Sequence, residues 1–157
     1  MKIKEIMTKP VSSVSESKHL NEAANLMWEQ DCGFVPVTDA KNKLIGVITD
    51  RDICMAAYTS DLPLSSIPVS TTMSKTLFSV SPKDSLDKAE DLMRHHQVRR
   101  LPVVNKKDEV EGIVSINDIG LAYQHKTFGA EIKAADVAKT LGAICEHTHG
   151  QLMKASS

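Results

Sequence analysis

The chain has 157 residues, 41% of them hydrophobic and 25% charged, which suits one compact globular domain or two small units and excludes a disordered or collagen-like chain. Its 19 basic and 20 acidic residues leave a formal net charge of -1, so no global field draws it onto nucleic acid or an anionic membrane. No apolar run approaches the roughly 18 residues of a membrane span, and Cys32, Cys54 and Cys145 form no CxxC pair, so the chain reads as cytoplasmic with reduced thiols.

In chain order, Val11 to Val14 is a short extended piece. Leu20, Ala23, Ala24 and Met27 then fall at helical spacing behind Ser17, a candidate cap. Phe34-Val35-Pro36-Val37 predicts a strand that is short or at an edge, because Pro36 cannot donate to a ladder. The turn-rich Asp39-Ala40-Lys41-Asn42 leads into a second strand, Leu44 to Thr49, and a second helix closes the unit. The lone Trp28, on the first helix, reads as a packing residue.

The same order then recurs. At an offset of 66 residues, without a gap, Met7 meets Met73, Leu20 meets Leu86, Ala23 meets Ala89, Met27 meets Met93, Pro36 meets Pro102, Gly46 meets Gly112 and Asp52 meets Asp118. The second copy therefore predicts an extended piece at Leu77 to Val80 and a helix from Leu86 capped by Asp84-Ser85. Strands from Arg100 and from Val110 and a closing helix complete it. The expected fold is α+β: two tandem βαββα repeats, residues 1–62 and 63–123, packed about a pseudo-twofold axis. A helical extension follows over 124–157. In that extension Ile132, Ala135, Val137, Ala138, Leu141 and Ile144 make a weakly amphipathic stripe, expected to serve as a docking or dimer face.

Two signals carry chemistry. Gly46-Val47-Ile48-Thr49-Asp50-Arg51-Asp52 and Gly112-Ile113-Val114-Ser115-Ile116-Asn117-Asp118 share the pattern G-x-x-[T/S]-x-x-D, a strand running into a helix. A hydroxyl and an acid at this spacing fit a helix capping box. The carboxylate can also accept both hydroxyls of a ribose diol while the helix N-terminus attracts phosphate, and the two roles can coexist. Arg99 and Arg100 enter an otherwise apolar strand behind His95 and His96, and guanidinium suits phosphate oxygens; an ion pair or a solvated strand end is the plainer reading. Repeat 1 carries Gly33 and Phe34 at the matching positions, so the copies differ in charge there. His147 and His149 resemble a metal tract, but alternate helix positions point apart, and no metal is expected.

The doubled motif, the apolar-Pro-Val strand before each copy and the opening Ile6-Met7-Thr8 together resemble the cystathionine-beta-synthase (CBS) domain pair over about Ile3 to Tyr123. The resemblance implies a regulatory module, not an enzyme, that needs no cofactor and binds AMP, ADP, ATP, NAD or S-adenosylmethionine between the repeats. It implies a homodimer acting on a downstream protein that the sequence does not identify. In one cleft, Thr49 and Asp52 would hold the ribose, Arg99 and Arg100 the phosphate, with Asn117 nearby. In the other, Ser115 and Asp118 would take the sugar, with Arg51 as the positive charge and Phe34 in place of a basic residue. Val11, Ser12, Leu77 and Phe78 would wall the adenine. The rival expectation is a ligand-free interaction protein acting through its C-terminal helix.

Overall fold

The computed structural model describes residues 1–125 and 132–146. Two small sheets define it: β1 (Val14–Ser15), β2 (Phe34–Thr38) and β3 (Leu44–Thr49) in the order β1-β2-β3, and the ribbon β4 (Arg100–Val104) with β5 (Val110–Ser115). Helices α1 (Leu20–Glu29) and α2 (Asp50–Ser60) belong to repeat 1, a short α3 (Val69–Thr72) to the connection. Helices α4 (Leu86–His96) and α5 (Ile116–Gln124) belong to repeat 2, and α6 (Ala134–Cys145) follows. This is the α+β tandem pair expected from the repeat. Among the described residues no helix is long and apolar enough to cross a membrane.

Local chemistry explains most boundaries. Thr49 caps α2 and Ser115 caps α5, whereas Ser85 caps α4 by accepting from the amide of Lys88 at 3.3 Å. Ser17 does not cap α1. His19 is the residue before that helix, and the Glu22 side chain reaches back to its amide at 3.0 Å. The first extended pieces are shorter than expected: β1 starts at Val14, and in the second copy only Val80 bridges, in parallel, to Val103. Nor is β2 an edge strand. It is central, but β1 pairs only with Val37 and Thr38, so the side of Pro36 that lacks a donor is left without a partner strand.

The two cores exchange segments. Ile3, fully buried, lies in the repeat 2 core with Val80, Leu86, Met93 and Leu101, whereas Ile67, Val69 and Met73 lie in the repeat 1 core with Leu20, Val37 and Ile48. Hydrogen bonds hold both exchanges in equivalent register. The amide of Ile3 donates to Asp84 O at 3.0 Å and that of Val69 to Lys18 O at 2.8 Å; Leu86 N donates to Met1 O at 3.2 Å and Leu20 N to Ile67 O at 2.9 Å. Further along, Thr8 bridges Ile113 and Ser74 bridges Val47. Each bridge brings a methionine over a glycine. A Cβ on Gly112 would lie 2.9 Å from Met7 Sδ and 3.0 Å from Thr8 O, and one on Gly46 would lie 2.6 Å from Met73 Sδ and 3.2 Å from Ser74 O. The glycine in G-x-x-[T/S]-x-x-D therefore makes room for the exchanged segment. Lys43 bridges Glu109, its own equivalent in the other repeat, which puts the pseudo-twofold axis between these two hairpins.

Half of the C-terminal stripe expected as a docking or dimer face packs inside the molecule. Ile132, Val137 and Ile144 pack on the repeat 2 core, leaving Ala135, Ala138 and Leu141 exposed. Polar contacts fasten α6 to α4: Arg94 Nη1 donates to Thr140 Oγ1 at 2.7 Å, and Gln97 Nε2 donates to Ala143 O at 3.2 Å and Glu146 O at 3.0 Å. Thr140 in turn donates to Glu90 Oε1 at 3.2 Å, both residues being buried.

Burial raises the pKa of Glu90 above its usual 4.5, and the charges of Asp136 and Asp87 push the same way, against the Thr140 hydrogen bond and the Arg94 charge. A carboxyl that titrates higher when folded binds more protons in the folded state, so stability falls as pH rises from the unfolded pKa through the folded one. Glu90→Gln should therefore flatten the decline of the thermal midpoint as pH rises above the usual carboxyl pKa of 4.5. Thermal melts of the two proteins across that range check this, and parallel profiles would show that Glu90 carries no such penalty.

Candidate functional site

Both motif hydroxyls and acids form reciprocal capping boxes, so the plainer reading of the spacing is realised. In repeat 1, Asp52 Oδ2 accepts from Thr49 N at 2.9 Å and Thr49 Oγ1 at 2.7 Å, while Asp52 N donates back to Thr49 Oγ1 at 3.2 Å. In repeat 2, Asp118 Oδ2 accepts from Ser115 N at 2.7 Å and Ser115 Oγ at 2.5 Å.

The second carboxylate oxygen separates the copies. Asp118 Oδ1 accepts the hydroxyl of Thr8 at 2.9 Å, so the exchanged N-terminal segment uses it. Asp52 Oδ1 accepts no hydrogen bond among the described residues, although Ser74 occupies the position equivalent to Thr8. Asp52 also lines a hollow of about 400 Å³ with Met55, Ala56, Thr59 and Ser60 of α2 and Ile67, Thr71 and Thr72 from the connection. A part-buried carboxylate with an unused acceptor beside apolar wall and hydroxyls can take a vicinal diol.

The arginines do not join it. Arg100 lines a different cavity, of about 460 Å³, with Ala24, Met27 and Trp28 of α1, Asp31, Cys32 and Gly33 of the following loop, and Asp50 and Ile53 of α2. Arg100 of repeat 2 thus shares a cavity with Asp50 at the start of the repeat 1 helix, whereas Asp52 lines a different one. Arg100 pairs with Ser115 across β4–β5 as Phe34 pairs with Thr49 across β2–β3, so each side chain projects on the face of its own repeat's motif hydroxyl. Arg99, Arg51 and Asn117 are exposed and line neither cavity.

Other expected residues are engaged elsewhere. Phe34 is buried at the start of β2. Phe78 stacks on His96, ring centroids 3.5 Å apart, and packs on the repeat 2 core; Val11 and Leu77 are half-buried and Ser12 is exposed. His95 and His96 end α4, and a larger hollow beside them, of about 590 Å³, is lined by α4 alone. Trp28 is 86% exposed and borders the Arg100 cavity, which corrects its reading as a packing residue. Among the described residues no three His, Cys, Asp or Glu side chains gather as a metal site; His147 and His149 lie outside them. Sequence reasoning missed Thr8 and Asp50. A signal for Thr8 existed, because the register that aligns Met7 with Met73 also aligns the hydroxyls of Thr8 and Ser74.

The CBS domain family model matches residues 3–58 and 65–123, and the chain belongs to that family. A CBS domain-containing protein of Bacillus subtilis, YhcV, is 40% identical over 119 residues, covering 76% of this chain and 83% of the relative. Among solved structures, Hypoxic Response Protein I with two coordinated zinc ions is 30% identical with a TM-score of 0.71, covering 77% of this chain and 98% of that one. CBSX2 in complex with AMP is 25% identical with a TM-score of 0.69, covering 80% and 98%.

Proposed function

We propose that this CBS domain pair is a regulatory, non-catalytic module that binds an adenosyl ligand with its ribose on Asp52. The observation that carries the reading is the unused Oδ1 of Asp52, a residue that lines a hollow, where the equivalent oxygen of Asp118 is consumed by Thr8. The AMP held by CBSX2 supports the ligand class. Thr49 assists through its hydroxyl. The phosphate role expected of Arg99 and Arg100 is not retained, because Arg100 lines a separate cavity with Asp31 and Asp50 and Arg99 lines neither. Occupancy acts by shifting the packing of the connection against α2, a change in populations and not a reaction.

Thermal melts with AMP, ATP, NAD and S-adenosylmethionine added separately test this. A ligand bound only by the folded chain at about a hundred times its Kd adds about 2.7 kcal/mol of stability, a rise of several degrees. No rise with any of the four refutes the reading.

The module pairs with a second copy through α2 and α5. Met55 and its equivalent Leu121 are 48% and 52% exposed, and Tyr58, three residues after Met55 on α2, extends the same apolar face. A surface with internal twofold symmetry is suited to an isologous dimer. Light scattering should report a dimer that Tyr58→Arg converts to monomer; a monomeric parent protein refutes the pairing.

A further inference from the structure

The cavity lined by Arg100 lies between the repeats: Arg100 comes from repeat 2, and the other lining residues come from α1, α2 and the loop after α1 in repeat 1. The offset of 66 residues assigns that cavity a counterpart in the other copy. At the positions of Ala24, Trp28 and Asp31 stand Glu90, Arg94 and Gln97, whose side chains hold α6 through Thr140, Ala143 and Glu146. At the positions of Cys32 and Asp50 stand Val98 and Ile116, which pack on the repeat 2 core beside Ile132 and Val137 of the C-terminal extension. The counterpart is therefore filled, and α6 is what fills it. Trp28 stands exposed where the side chain of its equivalent, Arg94, is largely covered.

The seat of α6 is partly polar. Buried Thr140 lies between Arg94 and buried Glu90, and Gln97 fastens the last turn. Hydrogen bonds that exchange for water on release contribute little net stability, so a helix held this way is displaceable. The second closure on this side is Thr8, whose hydroxyl occupies Oδ1 of Asp118. We propose that α6 is an internal stopper in the second inter-repeat cleft: the chain takes one adenosyl ligand, on Asp52, and admits a second only when α6 leaves α4 and Thr8 releases Asp118. This deepens the adenosyl reading and rests on it. The basis is exclusion, since helix and ligand compete for one volume. The coupling is reciprocal: whatever draws α6 away raises the capacity for ligand, and ligand on the Asp118 side drives α6 out.

Calorimetric titration of the full chain with AMP, ATP, NAD and S-adenosylmethionine, each separately, counts the sites. The expected stoichiometry is one ligand per chain for the parent protein and also for Thr8→Ala, because α6 still bars entry. Adding Ile144→Asp to Thr8→Ala puts a carboxylate into the apolar seat of α6 and should raise the stoichiometry to two. Trypsin reports the release, because Lys139 on α6 is cut faster once the helix is unseated. Thermal melts check that the variants fold, and Gln97→Ala combined with Thr8→Ala is a milder route to the same release. Two ligands on the parent protein or on Thr8→Ala alone overturn the proposal, as does one ligand per chain in the combined variant when trypsin shows α6 released. No binding of any of the four by any of these proteins is a different result, which refutes the adenosyl reading itself and this proposal with it.

Discussion

Ile3→Ala should destabilise the whole chain by about 2–5 kcal/mol, the cost of emptying a fully buried large aliphatic site. For a chain of this size that lowers the thermal midpoint by about 4–20 °C. The size of the effect comes from what the segment holds. Ile3 is 0% exposed within the repeat 2 core, and its neighbours donate and accept the backbone bonds that tie Met1 to Thr8 onto Asp84, Leu86 and Ile113. Lys4→Ala, an exposed change one residue away, should move the midpoint by no more than about 0.5 kcal/mol. Equal, small effects from both variants would show that the first residues are not a structural part of repeat 2. A chain termini-proximal position is often tolerant of change; this one is tied down by burial and hydrogen bonding.

Asp52→Asn should abolish the ligand-dependent rise in thermal midpoint, whereas Asp118→Asn should keep it. Both substitutions disturb a capping box, at a cost of about 0.5–2 kcal/mol in stability, and Asp118→Asn also weakens the bond from Thr8. The difference lies in binding. Losing a charged acceptor to ribose hydroxyls costs about 1.5–3 kcal/mol, a factor of about ten to a hundred in Kd. Comparing midpoints with and without the effective nucleotide, each variant against its own unliganded state, separates the two contributions. A ligand response lost in Asp118→Asn and kept in Asp52→Asn would move the adenosyl site to the other copy.

Much of this architecture was legible beforehand. The gapless offset of 66 residues placed both copies of the two main helices and of the hairpin, and the hydroxyl–acid spacing of Thr49 with Asp52 and Ser115 with Asp118 read correctly as capping. These are local properties. Periodicity, a cap and a turn depend on residues within a few positions of one another, and neighbours in sequence carry them. The site was less legible. Arg100 was assigned to the Asp52 cleft from a motif, but it lines a cavity with Asp50, two residues earlier in the chain, and not the hollow lined by Asp52.

The sequence by itself determined that there are two equivalent units, that Thr49, Ser85 and Ser115 cap three of their helices, and that their charge differs at positions 33–34 and 99–100. Only the tertiary structure decided which copy each terminal segment completes, that Thr8 occupies Asp118 while Asp52 keeps an oxygen, and that the C-terminal stripe covers α4. The physical reason is degeneracy. Met7 and Met73 are equivalent, and so are Ile3 and Val69, so an apolar segment matches its own repeat and the other equally well. The choice between them is made by chain connection and packing in three dimensions, which no single stretch of residues encodes.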